Sequence, residues 1–294
     1  MRSLSILLIC CLTMLMISSC SSRQLGYRYA ETLISWQAGN YVSLTDQQDA
    51  ILREETDKFL QWHAETQMPN YHQLLNDIYR LLQTPEIEPE AIAGYSDEML
   101  VYWQEIRAQL IAPSIRLLQS LDDEQVSELL ANMQNRLDEQ HERLQNAEAE
   151  IAEGNDMYPQ QRRASRFIDS FRNYGGRPNN TQEEKINDWS MQAPIVNRQW
   201  YAYQQDWHNA FASALEQRNS NDFAEILADL FMNPEQFRSA EMNEKLAISN
   251  EKSLLLMVKL HESLTNRQRT RLTRQVDRLR RDFRGMMEQR NVEL

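Results

Sequence analysis

The chain has 294 residues, 25% of them charged, and a formal net charge of −12. That acidity argues against a nucleic-acid partner, which needs a basic footprint. The only cysteines are Cys10, Cys11 and Cys20, so a folded part beginning at Cys20 has neither a disulfide nor a thiolate metal site.

Residues 1–19 read as a leader. Arg2 is its sole charge, Leu4 to Ile17 is almost wholly apolar, and small residues close it. The run falls short of the roughly 20 apolar residues that a spanning helix needs and fits a secretory signal. Its end, Ile17-Ser18-Ser19-Cys20, resembles a bacterial lipobox. The resemblance implies cleavage before Cys20, lipid on its thiol and acylation of the new amino terminus. Each buried methylene then contributes about 0.8 kcal/mol, and two or more acyl chains hold stably. Ser21, where Asp would retain such a protein at the inner membrane, implies an outer-membrane anchor facing the periplasm.

From Cys20 onward the expectation is an all-α, elongated multi-helix bundle. Glycines number only 7 in the whole sequence, and Gln, Glu, Leu, Ala and Arg fill the periodic stretches. The pattern predicts helices over 24–38 and 46–67, an interruption at Pro69, then 70–82. A short helix with turns over 84–95 precedes 97–118, which bends at Pro113. A long helix over 123–153 and another over 159–173 follow. The turn at 174–180 is the candidate boundary within an otherwise single domain, 20–294. Helices then run over 182–217 (kinked before Pro194), 221–232, 235–238, 240–262 and 266–290.

Helix starts are legible through capping boxes, in which a side-chain oxygen accepts from an early N–H and a Gln or Glu three residues on reaches back. Thr45 with Gln48, Asp122 with Gln125, Thr181 with Glu184 and Thr265 with Gln268 fit this form. Two helices carry clear apolar seams. One is Val126, Leu130, Met133, Leu137, Gln140, Leu144, Ala147 and Ile151; the other is Leu272, Val276, Leu279, Phe283 and Met286.

No reactive constellation stands out. The five histidines form no His-Glu-x-x-His and no pair four apart, so neither a metal nor a cofactor is expected. There is no Gly-x-Ser-x-Gly elbow and no phosphate-cradling glycine loop. Aromatic residues offer more. Trp189, Trp200, Tyr203 and Trp207 fall near one helical face, reading either as wide core or as a groove. The charge is also uneven. Val42–Met157 carries 24 acidic against 7 basic residues, and Leu264–Leu294 carries 9 basic against 4 acidic. Arg274, Arg278 and Arg281 belong to that basic end. It seats against an acidic surface of its own chain, or it faces anionic lipid or an acidic client.

Tyr27-Arg28-Tyr29-Ala30, Leu33-Ile34-Ser35-Trp36, Trp62-His63 and Pro69-Asn70-Tyr71 resemble a family of uncharacterised proteobacterial helical lipoproteins. That resemblance implies a lipoprotein without assigned activity. Leu44-Thr45-Asp46-Gln47-Gln48 and Leu264-Thr265-Asn266-Arg267-Gln268 also resemble the Leu-Thr-x-x-Gln motif of small periplasmic chaperone-like proteins. The functional expectation is a non-catalytic envelope lipoprotein. Lipid on Cys20 holds it to the membrane, and it binds a protein client or envelope partner. An envelope glycan or peptidoglycan hydrolase and a structural spacer are the alternatives.

Overall fold

The computed structural model describes residues 22–294; the leader and Cys20 lie outside the described residues. The described residues are all-helical, with no strand among them, and no described helix is long and apolar enough to cross a membrane. The chain opens with α1 (Ser22–Arg28), α2 (Ala30–Ala38) and α3 (Asp46–Trp62), then a π-turn (His63–Gln67) leading into α4 (Met68–Leu81). The two longest helices, α5 (Pro89–Gln119) and α6 (Asp123–Ala152), follow, then α7 (Tyr158–Tyr174) and α8 (Asn180–Gln192). The chain closes with α9 (Asn197–Glu216), α10 (Phe223–Met232), a 3₁₀ turn (Pro234–Phe237), α11 (Ala240–Glu262) and α12 (Asn266–Glu288).

Thr45 with Gln48, Asp122 with Gln125 and Thr265 with Gln268 form capping boxes at the starts of α3, α6 and α12. The start of α8 corrects the expectation. Asn179 rather than Thr181 is the N-cap, accepting from the Gln182 N–H at 2.9 Å. Gln182 rather than Glu184 reaches back, accepting from the Asn179 N–H at 3.0 Å. Asn caps at least as well as Thr. The shift also sends a neutral amide into a fully buried position while Glu184 stays exposed, which avoids desolvating a carboxylate.

These four boxes pair off. Gln48 and Gln125 exchange side-chain amide hydrogen bonds of 2.8 and 2.7 Å, and Gln182 and Gln268 exchange bonds of 3.0 and 2.9 Å. Each amide also donates to the backbone carbonyl five residues before its partner. Gln48 donates to Ser120 (2.7 Å), Gln125 to Ser43 (2.8 Å), Gln182 to Ser263 (2.9 Å) and Gln268 to Arg177 (3.1 Å). Both N–H donors of every amide are thereby used. Each oxygen accepts from its own N-cap N–H and from the opposite amide. The four glutamines are 7% exposed or less.

Each clasp borders a hydrophobic cluster. The largest joins Leu118, Leu121, Val126, Phe211, Leu215, Phe223 and Leu227, from α5, the turn after it, α6, α9 and α10. Buried Arg218 closes its end, donating to the carbonyls of Leu121 (3.1 Å) and Leu215 (3.3 Å) and pairing with Asp123. A second cluster packs Ala164, Ile186, Leu256 and Leu260 between α7, α8 and α11. A third sets Ala64 and Met68 against Met286 and Met287, with Tyr27, Tyr71 and Phe283 around them. It brings α12 back onto α1 and α4, so helices from both sides of the turn at 174–180 pack together.

Two prolines behave otherwise than expected. Pro69 does not interrupt the helix. The π-turn just before it lets the Met68 N–H reach the His63 carbonyl, widening the backbone where the pyrrolidine ring would otherwise strike the preceding turn. Pro194 does more than kink: the chain leaves the helix from Ala193 to Val196. Arg163 of α7 gathers the freed carbonyls of Ala193 (2.6 Å), Pro194 (2.9 Å) and Ser190. The segment before Pro89 is likewise not a separate short helix, because Pro89 opens α5 directly and α5 continues through Pro113.

Gln125→Ala strands the buried Gln48 amide and removes half of a capping box, and is expected to cost about 3 kcal/mol, read from the urea midpoint. Deleting Gln48 as well should cost less than the sum, because the first deletion has already broken the exchange. Asn179→Ala should cost about 1 kcal/mol and Thr181→Ala less than about 0.5. Equal losses in those two variants would return the start of α8 to Thr181.

Candidate functional site

The apolar seam of α6 does not stay in one environment. Val126, Leu130 and Met133 pack in the largest cluster and Leu137 is buried, but Gln140, Leu144 and Ala147 line an open cleft, and Ile151 is exposed. α6 has 30 residues and its neighbour α9 has 20, running antiparallel with the end of α9 at the start of α6. α6 runs on past the start of α9, where Arg198 pairs with Glu148 at 2.5 Å, and α7 folds back beside that end. The space left between the three helices is the cleft.

The cleft holds about 500 Å³. Arg143 comes from α6, Tyr158, Arg162 and Arg166 from α7, and Asn197, Trp200 and Tyr201 from the first turns of α9. Its lining contains three arginines and no Asp or Glu. Arg162 donates to the Tyr158 hydroxyl at 3.0 Å and lies 5.6 Å above that ring. Arg143 has one distant ion pair, to Glu139 at 4.0 Å. Tyr201 packs against His141, their ring centroids 4.8 Å apart. α9 begins here with no side-chain cap, so its first N–H groups and the positive end of its dipole add to the arginines. The pocket thus offers flat aromatic surface beside positive charge, suited to an acidic or phosphate-bearing segment.

The aromatic residues that share a face in the sequence part company here. Because Ala193–Val196 breaks the helix, Trp189 sits on α8 and the other three on α9. Trp189 belongs to the core: it packs on Phe167 (5.3 Å), lies under Arg163 (5.1 Å) and donates to the Ser253 hydroxyl at 3.2 Å. Trp207 is also core. It stacks on Phe211 at 5.1 Å and donates to the Leu230 carbonyl at 3.1 Å. Tyr203 is half-buried, edge-on to Trp200 and beneath Arg238. Only Trp200 of the four is exposed, at 36%, and it alone lines the cleft. One groove built from all four is therefore corrected to a single aromatic anchor.

Arg274, Arg278 and Arg281 lie elsewhere, on the exposed side of α12. Nothing in the spacing of Arg143, Arg162 and Arg166 along the sequence reveals that α6 and α7 converge, and nothing there marks Trp36 and Trp103 as 68% and 53% exposed. No group of three or more His, Cys, Asp or Glu among the described residues is placed to hold a metal ion. Burial holds His63, His72 and His261 below the ordinary histidine range, so all three are uncharged at neutral pH. His261 spends its Nε2 on the Thr84 carbonyl, 2.8 Å away, in a structural contact.

Trp207→Ala, which empties a core position, is expected to cost about 3–5 kcal/mol in thermal or urea unfolding. Trp200→Ala should cost less than about 1 kcal/mol. A loss as large as that of Trp207→Ala would place Trp200 in the core and remove it from the cleft wall.

No curated protein and no solved structure matches the chain. A family model does match, described as a family of unknown function, DUF6279, and it spans residues 40–243. That stretch runs from just before α3 to the first turn of α11 and contains the whole cleft. Covering more than half of the sequence, the match makes this chain a member of DUF6279, a family of unknown function.

Proposed function

We propose that the protein is a non-catalytic lipoprotein of the bacterial cell envelope that binds a protein partner through the cleft between α6, α7 and α9. In this reading, lipid on Cys20 holds the chain at the outer membrane and the helical part faces the periplasm. The resemblance of residues 17–20 to a lipobox and the Leu-Thr-x-x-Gln helix starts support that address.

One observation carries the binding role: exposed Trp200 stands beside Arg143, Arg162 and Arg166 in a cleft without a lining carboxylate. An acidic segment with an apolar side chain fits this surface. Trp200 supplies the buried contact, and the arginines with the α9 amino terminus supply charge complementarity. Charge of this kind speeds and selects the encounter, while a rigid aromatic anchor supplies much of the affinity. The hydrolase alternative needs a facing pair of carboxyl groups, and the cleft lining offers none.

A photo-crosslinking amino acid at Asn146, on the cleft rim, is expected to capture a reproducible protein partner in cells. Combining Trp200→Ala with Arg166→Glu should abolish that capture while the unfolding midpoint stays near the parent value. Capture unaffected by the double change, or no reproducible partner from the parent protein, would refute the cleft as a binding site.

A further inference from the structure

The first two helices carry an exposed apolar stripe. Leu25, Tyr29, Leu33 and Trp36 are 48%, 54%, 50% and 68% exposed. Their spacing of four, four and three residues keeps them on one side of α1 and α2. The opposite side of α1 is tied down: Tyr27 donates to the Leu60 carbonyl at 2.7 Å, and Arg23 pairs with buried Asp282 at 3.0 Å. A large Trp and Tyr on an unpacked helix face are unusual for a surface that meets only water.

α12 presents a matching basic stripe. Arg267, Arg274, Arg278 and Arg281 recur at helical spacing on its exposed side, and no described carboxylate pairs with any of them. Other arginines near this end do find partners. Arg280 pairs with Asp277, and Arg290 with Asp57 and Glu31. The chain carries a net charge of −12, yet none of its described carboxylates pairs with the stripe. The sequence expectation that the basic end seats against its own chain therefore holds for only part of it.

The two stripes adjoin. Gly285 lies on the same side of α12 as the arginines, and Gln24 of α1 rests on it so closely that a Cβ there would stand 2.5 Å from the Gln24 amide nitrogen. α1 thus lies across the arginine-bearing face, and its own outer side, with Leu25, points away from α12 in the direction the arginines take. Ser22 begins α1, and two peptide steps, about 7 Å at most, join it to Cys20.

We infer that the apolar stripe of α1–α2 and the arginine stripe of α12 form one face that seats on anionic phospholipid. Tyr29 and Trp36 enter the headgroup region, and Arg267, Arg274, Arg278 and Arg281 lie on the lipid phosphates. The inference builds on the anchored reading of Cys20 and gives the anchor a second job, fixing which way the protein faces. Aromatic rings at the interface and guanidinium groups on phosphate are what such a surface selects.

The test uses the full chain, purified with any lipid it carries and reconstituted into phosphatidylcholine vesicles with or without phosphatidylglycerol. Phenylglyoxal footprinting by mass spectrometry reads each arginine. Arg274 and Arg278 are expected to react roughly five-fold or more slowly on the phosphatidylglycerol vesicles, with the difference erased by high salt. Arg136 and Arg172, both exposed on other helices, should react alike on both. Quenching of fluorescence by brominated lipid should be present in the parent and lost in Trp36→Phe. Equal footprints on the two vesicle types, or quenching that survives Trp36→Phe, would overturn the inference. So would protection seen in cells but absent on anionic vesicles, which would assign the stripe to a protein partner. Intact mass of the same sample reports the acyl chains separately. An unlipidated Cys20 sinks the anchor reading, whereas equal footprints with lipid in place sink the seating face alone.

Discussion

The fold turns on a buried pair of primary amides, used twice. In each clasp two glutamines face one another at the third position of two helices, and every hydrogen-bonding group of both amides is satisfied. Only an amide does this. A carboxylate in the same place would lose both donors and bring its charge to the buried oxygen of its partner, while an apolar residue would strand the opposite amide and two backbone groups. The clasp also brings together two helix amino termini, whose positive ends repel. In the first clasp, Asp46 and Asp49 in the opening turn of α3 and Asp123 and Glu124 in that of α6 offset this. The capping box thereby acts at two levels, since the group that starts a helix locally also selects its partner.

Fixing the helix starts fixes what happens at the other ends. With α6 held at its beginning by the first clasp and by Arg218, its far end runs past the start of α9, and the carboxyl-terminal half of its apolar seam is only partly covered. α7 covers part of that seam and leaves the cleft. The candidate site is therefore the space left where α6, α7 and the start of α9 do not pack fully together. The second clasp acts similarly on α12. Gln268 takes the carbonyl of Arg177 in the turn after α7, and the rest of the helix runs on to meet α4 and α1.

Charge is sorted along with the packing. Carboxylates crowd residues 42–157, yet the cleft, whose lining runs from 140 to 201, has arginines as its only charged groups. The most basic segment, α12, keeps its apolar seam and buried Asp282 inward and most of its arginines outward. Long-range attraction within one chain is weakened by salt over about 8–10 Å, so what holds α12 is contact at short range: the Gln268 clasp, the methionine and aromatic packing on α4 and α1, and the pairs Arg23–Asp282 and Arg290–Asp57.

The sequence by itself determined whatever depends on near neighbours along the chain: helical character throughout, the starts at Thr45, Asp122 and Thr265, and the apolar seams. Capping and periodicity act over three to seven residues, and the pattern there is complete in itself. It misplaced the start of α8, where Thr181-Glu184 and Asn179-Gln182 are both plausible boxes and a contact with Gln268, 86 residues away, selects the second. Only the tertiary structure decided which glutamines meet, that Trp207 and Trp189 are core while Trp200 is not, and that most arginines of α12 stay exposed. Those outcomes follow from helix lengths and from contacts between distant segments, and neither is written in the local spacing of residues.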